Sequence, residues 1–147
     1  MTEEDPHELE RFVAAQNQGG TYRTALAELR AGAKRTHWMW FVFPQIAGLG
    51  SSPTARRYAI ASLQEARAYL EHPVLGPRLR ESAATLVERE GSDDPAAVFG
   101  SVDALKLRSS MTLFARAAPE EPVFADVLAR YYGASADPAT EARLGGS

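Results

Sequence analysis

Apolar residues recur along this chain at the three-and-four spacing of helices rather than in the alternation of strands. Leu9, Phe12, Val13 and Gln16 lie along one face of a first helix. Asp5-Pro6-His7-Glu8 is expected to start that helix as N-cap, first-turn proline and capping-box glutamate, and Gly19-Gly20 to stop it. Tyr22, Ala25, Leu26 and Leu29 predict a helix over 21–31 that ends at Gly32. Ser62-Leu63-Gln64-Glu65 reads as another capping box, opening a helix with Leu63, Ala66 and Leu70 inward and His72-Pro73 at its end. Pro77 suits the first turn of a helix to about Glu90. Asp94-Pro95 and Asp137-Pro138 repeat the Asp-Pro start, and Pro122 opens a stripe of Val123, Phe124, Val127, Leu128 and Tyr131 closed by Gly133. The stretch from Pro44 to Thr54, with Gly48, Gly50 and Pro53, predicts the one long loop.

Two segments break the amphipathic rule. Thr36-His37-Trp38-Met39-Trp40-Phe41-Val42-Phe43 has strand propensity. The chain offers it no partner strand, so elimination predicts a short buried helix with Thr36 as N-cap. The run from Ser101 to Phe114 spreads Val102, Leu105, Leu107, Met111, Leu113 and Phe114 round most of the circumference, the pattern of a central buried helix. Asp103, Lys106 and Ser110 share one side of it, so Asp103 is the expected partner of the Lys106 ammonium. The expected architecture is all-α, a single multi-helix domain over 1–147 with an ordered core of about 5–144.

Composition sharpens this in a few places. Sixteen Lys plus Arg against nineteen Asp plus Glu in 147 residues give a net charge of −3. A nucleic-acid coat is therefore not expected. The absence of cysteine removes disulfides, thiol nucleophiles and thiolate zinc sites, which suits a cytoplasmic protein. No apolar run is long enough for a membrane span, and the acidic stretch from Met1 to Asp5 is not a signal start. Lys34 and Lys106 are the only lysines. That scarcity makes the positions of these two side chains informative.

The residues His37-Trp38-Met39-Trp40-Phe41-Val42-Phe43-Pro44-Gln45, Gly48-Leu49-Gly50, Tyr58-Ala59-Ile60, Glu65 to Leu70, His72-Pro73, and Asp103 with Lys106, Ser109, Ser110, Thr112, Leu113 and Phe114 carry a resemblance. The chain resembles, from Asp5 to Leu144, a family of small bacterial and fungal proteins classed as a domain of unknown function and sometimes labelled calpastatin. The resemblance implies an all-α single domain and brings no established activity or catalytic residues. The label itself belongs to a disordered, repeat-built inhibitor, whereas this chain is free of repeats.

The chemistry must then be sought residue by residue. Gly48-Leu49-Gly50-Ser51-Ser52 lacks the third glycine of a dinucleotide fingerprint and the lysine of a P-loop. His7, His37 and His72 are too scattered for a metal site, so no metal and no cofactor is expected. There is no nucleophile elbow, and Ser109 and Ser110 beside Lys106 suit helical back-bonding better than a Ser-Lys pair. What remains is a constellation: the basic pairs Lys34-Arg35 and Arg56-Arg57 bracket the aromatic segment and its glycine loop. The leading expectation is a pocket for a small anionic or nucleotide-like ligand, lined by Trp38, Trp40, Gln45, Arg56, Tyr58, Lys106 and Ser110. One alternative is an N-glycoside hydrolase acting on ADP-ribose- or nicotinamide-type substrates, with candidate catalytic residues Glu65, Asp103, Lys106 and His37. The other is a protein-interaction module without a small ligand, its aromatic cluster forming an exposed patch. The sequence leaves the oligomeric state open.

Overall fold

The computed structural model describes residues 5–145, so the reading of Met1 to Glu4 as part of a non-signal start lies outside the described residues. The elements are α1 (Glu10–Asn17), α2 (Thr21–Ala31), α3 (Met39–Val42), α4 (Pro53–Arg57), α5 (Leu63–Glu71), α6 (Leu75–Glu88), α7 (Pro95–Ala117), α8 (Pro122–Tyr132) and α9 (Pro138–Gly145). There is no strand among the described residues, and the fold is all-α as the periodicity implies. α7 packs against α8, α5 and α9. α6 packs against α8, α5 and α2, and α1 lies against α2 and α3.

The capping signals work by their expected chemistry, with instructive shifts of position. The Asp94 carboxylate accepts the Ala96 N–H at 3.0 Å, and Asp137 accepts the Thr140 N–H at 3.0 Å. At the first helix, Glu8 adopts a left-handed φ of 53° and a turn precedes α1. Helix α1 therefore starts at Glu10, and Asp5 reaches forward to take the N–H groups of Leu9 at 2.7 Å and Glu10 at 3.0 Å. His72 ends α5 as expected. Its Nδ1 also accepts the N–H groups of Val74 at 3.1 Å and Leu75 at 3.2 Å, which helps cap α6.

Two expectations need correction. Thr36 does not cap α3; its hydroxyl donates to Glu28, and the helix is a single turn beginning at Met39. In α7, Val102 and Leu105 are each 65% exposed, while Val98, Phe99, Ala104 and Leu107 are buried, so the first part of the helix presents one face to solvent and only its later part, from Ser109 to Phe114, is buried all round. The helix is interrupted at Gly100, at φ 80° and ψ 164°, a conformation essentially restricted to glycine. It divides α7 into an opening turn and a long central helix.

The core contains two groups of aromatic rings in contact. Trp38 meets Phe43 and Phe99, with centroids at 6.2 and 6.4 Å. Phe12 meets Tyr69 edge-on at 5.1 Å, and Tyr69 in turn meets Phe114 at 5.4 Å. The buried Tyr69 hydroxyl accepts a hydrogen bond from Gln16 Nε2, whose side-chain oxygen accepts from Arg78. Burial pushes the Tyr69 phenol above its ordinary range, so it stays neutral.

Candidate functional site

The segment after α2 is fixed by one carboxylate. Glu28 accepts four hydrogen bonds, from Arg35 N at 2.9 Å, Thr36 N at 3.1 Å, Thr36 Oγ1 at 2.8 Å and Trp38 Nε1 at 2.8 Å. Burial pushes this carboxyl up, but the hydrogen bonds outweigh it and hold its pKa below the ordinary value of 4.5. The indole N–H of Trp38 thus has its partner, and the ring is completely enclosed. Trp38 is a core residue, not a ligand platform.

Both lysines of the chain converge on Asp103. Lys34 Nζ lies 2.9 Å from Asp103 Oδ2, and Lys106 Nζ lies 3.4 Å from Oδ1. Each also sits over an indole: Lys34 over Trp38 at 5.1 Å and Lys106 over Trp40 at 4.8 Å. Lys34 additionally bridges the Gly100 break, its backbone N–H donating to Val98 O at 2.8 Å while its ammonium holds Asp103 beyond the break. The pairing of Asp103 with Lys106 is the one their spacing implies. The approach of Lys34 from a distant segment is not visible in the spacing.

Trp40, half-exposed, faces a narrow cleft shared with Gln45, Ile46, Gly48, Gly50, Ala55, Tyr58 and Ala59. Its free volume is about 10 Å³, room for roughly one water. The loop forming one wall is held by backbone bonds of 2.8 Å from Ala47 N to Ile60 O and from Ile60 N to Gln45 O. Arg143 of α9 donates to Gly48 O at 3.1 Å. A Cβ on Gly48 would come within 2.3 Å of the Arg143 guanidinium, and its φ of 98° also favours glycine. The guanidinium of the exposed Arg57 lies 5.6 Å from the ring centre of Tyr58, another residue lining the cleft. Cationic side chains from α4, α7 and α9 therefore contact the residues that line this cleft.

Of the residues singled out from the sequence, Trp40, Gln45 and Tyr58 line one cleft, and Lys106 covers Trp40. Trp38 does not join them. Arg56 and His37 are exposed and do not line the cleft. Ser110 is fully buried, and its Oγ has no hydrogen-bond partner among the described residues. Ser109 bonds Leu105 O, as a helical serine does, and also Asp137. Glu65 is buried and engaged: it accepts from Ala61 N at 3.0 Å and from Arg11 Nη2 at 3.0 Å. Arg11 further bonds the carbonyls of Arg57 and Ala59, so the pair clips α1 to the start of α5. Arg143 and Glu28 were missed. Arg143 is remote in sequence from the aromatic segment, and Glu28 reads as an ordinary solvated helix residue.

Among the described residues no group of His, Asp or Glu is placed to hold a metal ion, and no helix is long and apolar enough to cross a membrane. No curated protein matches the chain. The crystal structure of the conserved hypothetical protein Rv1873 from Mycobacterium tuberculosis is similar to it, with 54% sequence identity and a TM-score of 0.92. The match covers 96% of this chain and 99% of that one. The family model described as protein of unknown function (DUF1810) matches residues 6–144, and the chain belongs to that family.

Proposed function

We propose that the chain binds a small anionic, nucleotide-like ligand at the rim of the Trp40 cleft. The observation that carries this reading is that Arg57, Lys106 and Arg143, from three separate helices, each contact a residue that lines the cleft: Tyr58, Trp40 and Gly48 respectively. Their concentration here stands against a net charge of −3 for the whole chain. Guanidinium forks suit bidentate contact with phosphate oxygens, an ammonium adds a point charge, and a half-exposed indole offers a stacking edge. With only about 10 Å³ free inside, the ligand lies across the rim. Gln45 is placed to read a polar edge at the mouth.

Isothermal titration against nucleoside mono-, di- and triphosphates and inorganic phosphate tests this. Saturable binding that is lost in Trp40→Ala and Lys106→Ala supports it, and no binding at millimolar ligand rejects it. The hydrolase reading is the less favoured, since both of its carboxylates are paired, Glu65 with Arg11 and Asp103 with the two lysines. Val102 and Leu105, exposed on α7 close to Lys106, are the observation that favours an interaction surface instead. Sedimentation velocity of the wild type against a Val102→Ser, Leu105→Ser variant reads whether that face joins copies of the chain.

A further inference from the structure

We infer that Asp103 is an internal competitor for the ligand: it occupies the ammonium of Lys106 until a dianionic phosphomonoester group takes it. This rests on the ligand-binding reading above and adds to it which contact must be exchanged.

Two ammoniums share one carboxylate, and they do not share it equally. Lys34 is 2.9 Å from Asp103, donates to Thr36 O at 2.6 Å, and its side chain is only 7% exposed. It is fixed on every side. Lys106 stands 3.4 Å from Asp103, is 23% exposed, and otherwise meets only the face of Trp40. An ammonium has three donors, and a charge-assisted bond is normally shorter than this one. Lys106 is therefore the cation with donors to spare and the one able to leave.

The chemical class of the ligand follows from the exchange. The incoming group must outcompete a carboxylate already in place, so a singly charged carboxylate gains little from the swap. A dianionic phosphate gains from its second charge and its additional acceptor oxygens. Arg143 and Arg57, each against another residue that lines the cleft, add positive charge to its surroundings. When Lys106 moves, Asp103 keeps Lys34, so the anchor across the Gly100 break persists.

The test uses the full chain, titrated with inorganic phosphate, adenosine monophosphate, acetate and adenosine. Phosphate and the monophosphate are expected to bind, and acetate and adenosine to fail. A clear preference for the monophosphate assigns the source as a nucleotide, and equal affinity assigns it as free phosphate. Asp103→Asn is expected to tighten phosphate binding by about fivefold, and Lys106→Gln to weaken it by about tenfold. A purely structural Asp103 predicts the opposite sign for the first variant. Because the chain has only two lysines, their side-chain carbon resonances give a second readout in the wild type. The Lys106 signal is expected to move on adding phosphate while the Lys34 signal stays. If phosphate binds but Asp103→Asn is no tighter, or both lysine signals stay still, the competitor role is overturned while ligand binding stands. If neither wild type nor variant binds, both readings fall together.

Discussion

Trp38 and Trp40 are separated by a single residue, yet their surroundings differ in kind. Trp38 is fully enclosed, its N–H is bonded to Glu28, and the lysine above it is fixed at both ends. Trp40 stands half-exposed on a cleft, and the lysine above it is loosely held. The contrast teaches how to separate scaffold from site inside one aromatic motif: the half whose polar groups are all satisfied within the protein holds the fold. The half with spare donors faces what comes from outside.

The strongest way to break this comparison is to truncate each ring. Trp38→Ala removes a large buried side chain and leaves the Glu28 carboxylate short of one donor, and is expected to cost about 3–5 kcal/mol of unfolding free energy. Trp40→Ala is expected to cost no more than about 1 kcal/mol and to abolish ligand binding. Denaturant melts of both variants give the numbers. Equal losses would show that both rings serve the core and would remove the distinction.

Glu28 sharpens the same contrast through pH. Its pKa is lower in the folded state than in the unfolded chain. Its stabilising contribution is therefore fully present above the unfolded value of 4.5 and is lost as pH falls through the depressed folded one. Glu28→Gln keeps the size but replaces one acceptor oxygen with a donor, against four incoming hydrogen bonds. The expected loss at neutral pH is about 2 kcal/mol, since the site is partly exposed. The wild type and variant stability curves should approach each other as pH drops below 4.5. A gap that stays constant down to acid unfolding would mean the hydrogen bonds do not depend on the charge of Glu28.

The legible parts of this structure were those written in local chemistry. Asp94 and Asp137 cap helices because a short carboxylate before proline has N–H groups within reach. Gly32 and Gly133 end theirs in the left-handed conformation expected of them. The pairing of Asp103 with Lys106 followed from one turn of helix. The illegible parts depended on distant segments. Nothing at Val102 or Leu105 tells that the face they occupy is left uncovered by the neighbouring helices, so an all-round apolar pattern predicts burial that only part of the helix has. The sequence offers Glu65 as a candidate catalytic carboxylate and hides its partner, because Arg11 lies 54 positions away. The basic pairs suggest a phosphate cradle, but Lys34 turns inward to Asp103, and Arg143, which bonds Gly48 of the cleft, comes from the last helix.

The smallest expected effect discriminates most finely, because it sets the two lysines against each other. Lys34→Ala removes a nearly buried ammonium that joins Thr36 and Asp103 but leaves the backbone bond to Val98, and should cost about 1–2 kcal/mol. Lys106→Ala removes a partly exposed i, i+3 pair of 3.4 Å and a cation over an indole, and should cost no more than about 0.5 kcal/mol. In binding the order reverses: Lys106→Ala is expected to weaken ligand binding by about tenfold or more, whereas Lys34→Ala weakens it less. Measuring unfolding and phosphate affinity on both variants gives a two-by-two comparison. A larger stability loss at Lys106 than at Lys34 would mean that the 3.4 Å pair is structural, and that the spare donors inferred for it are not spare.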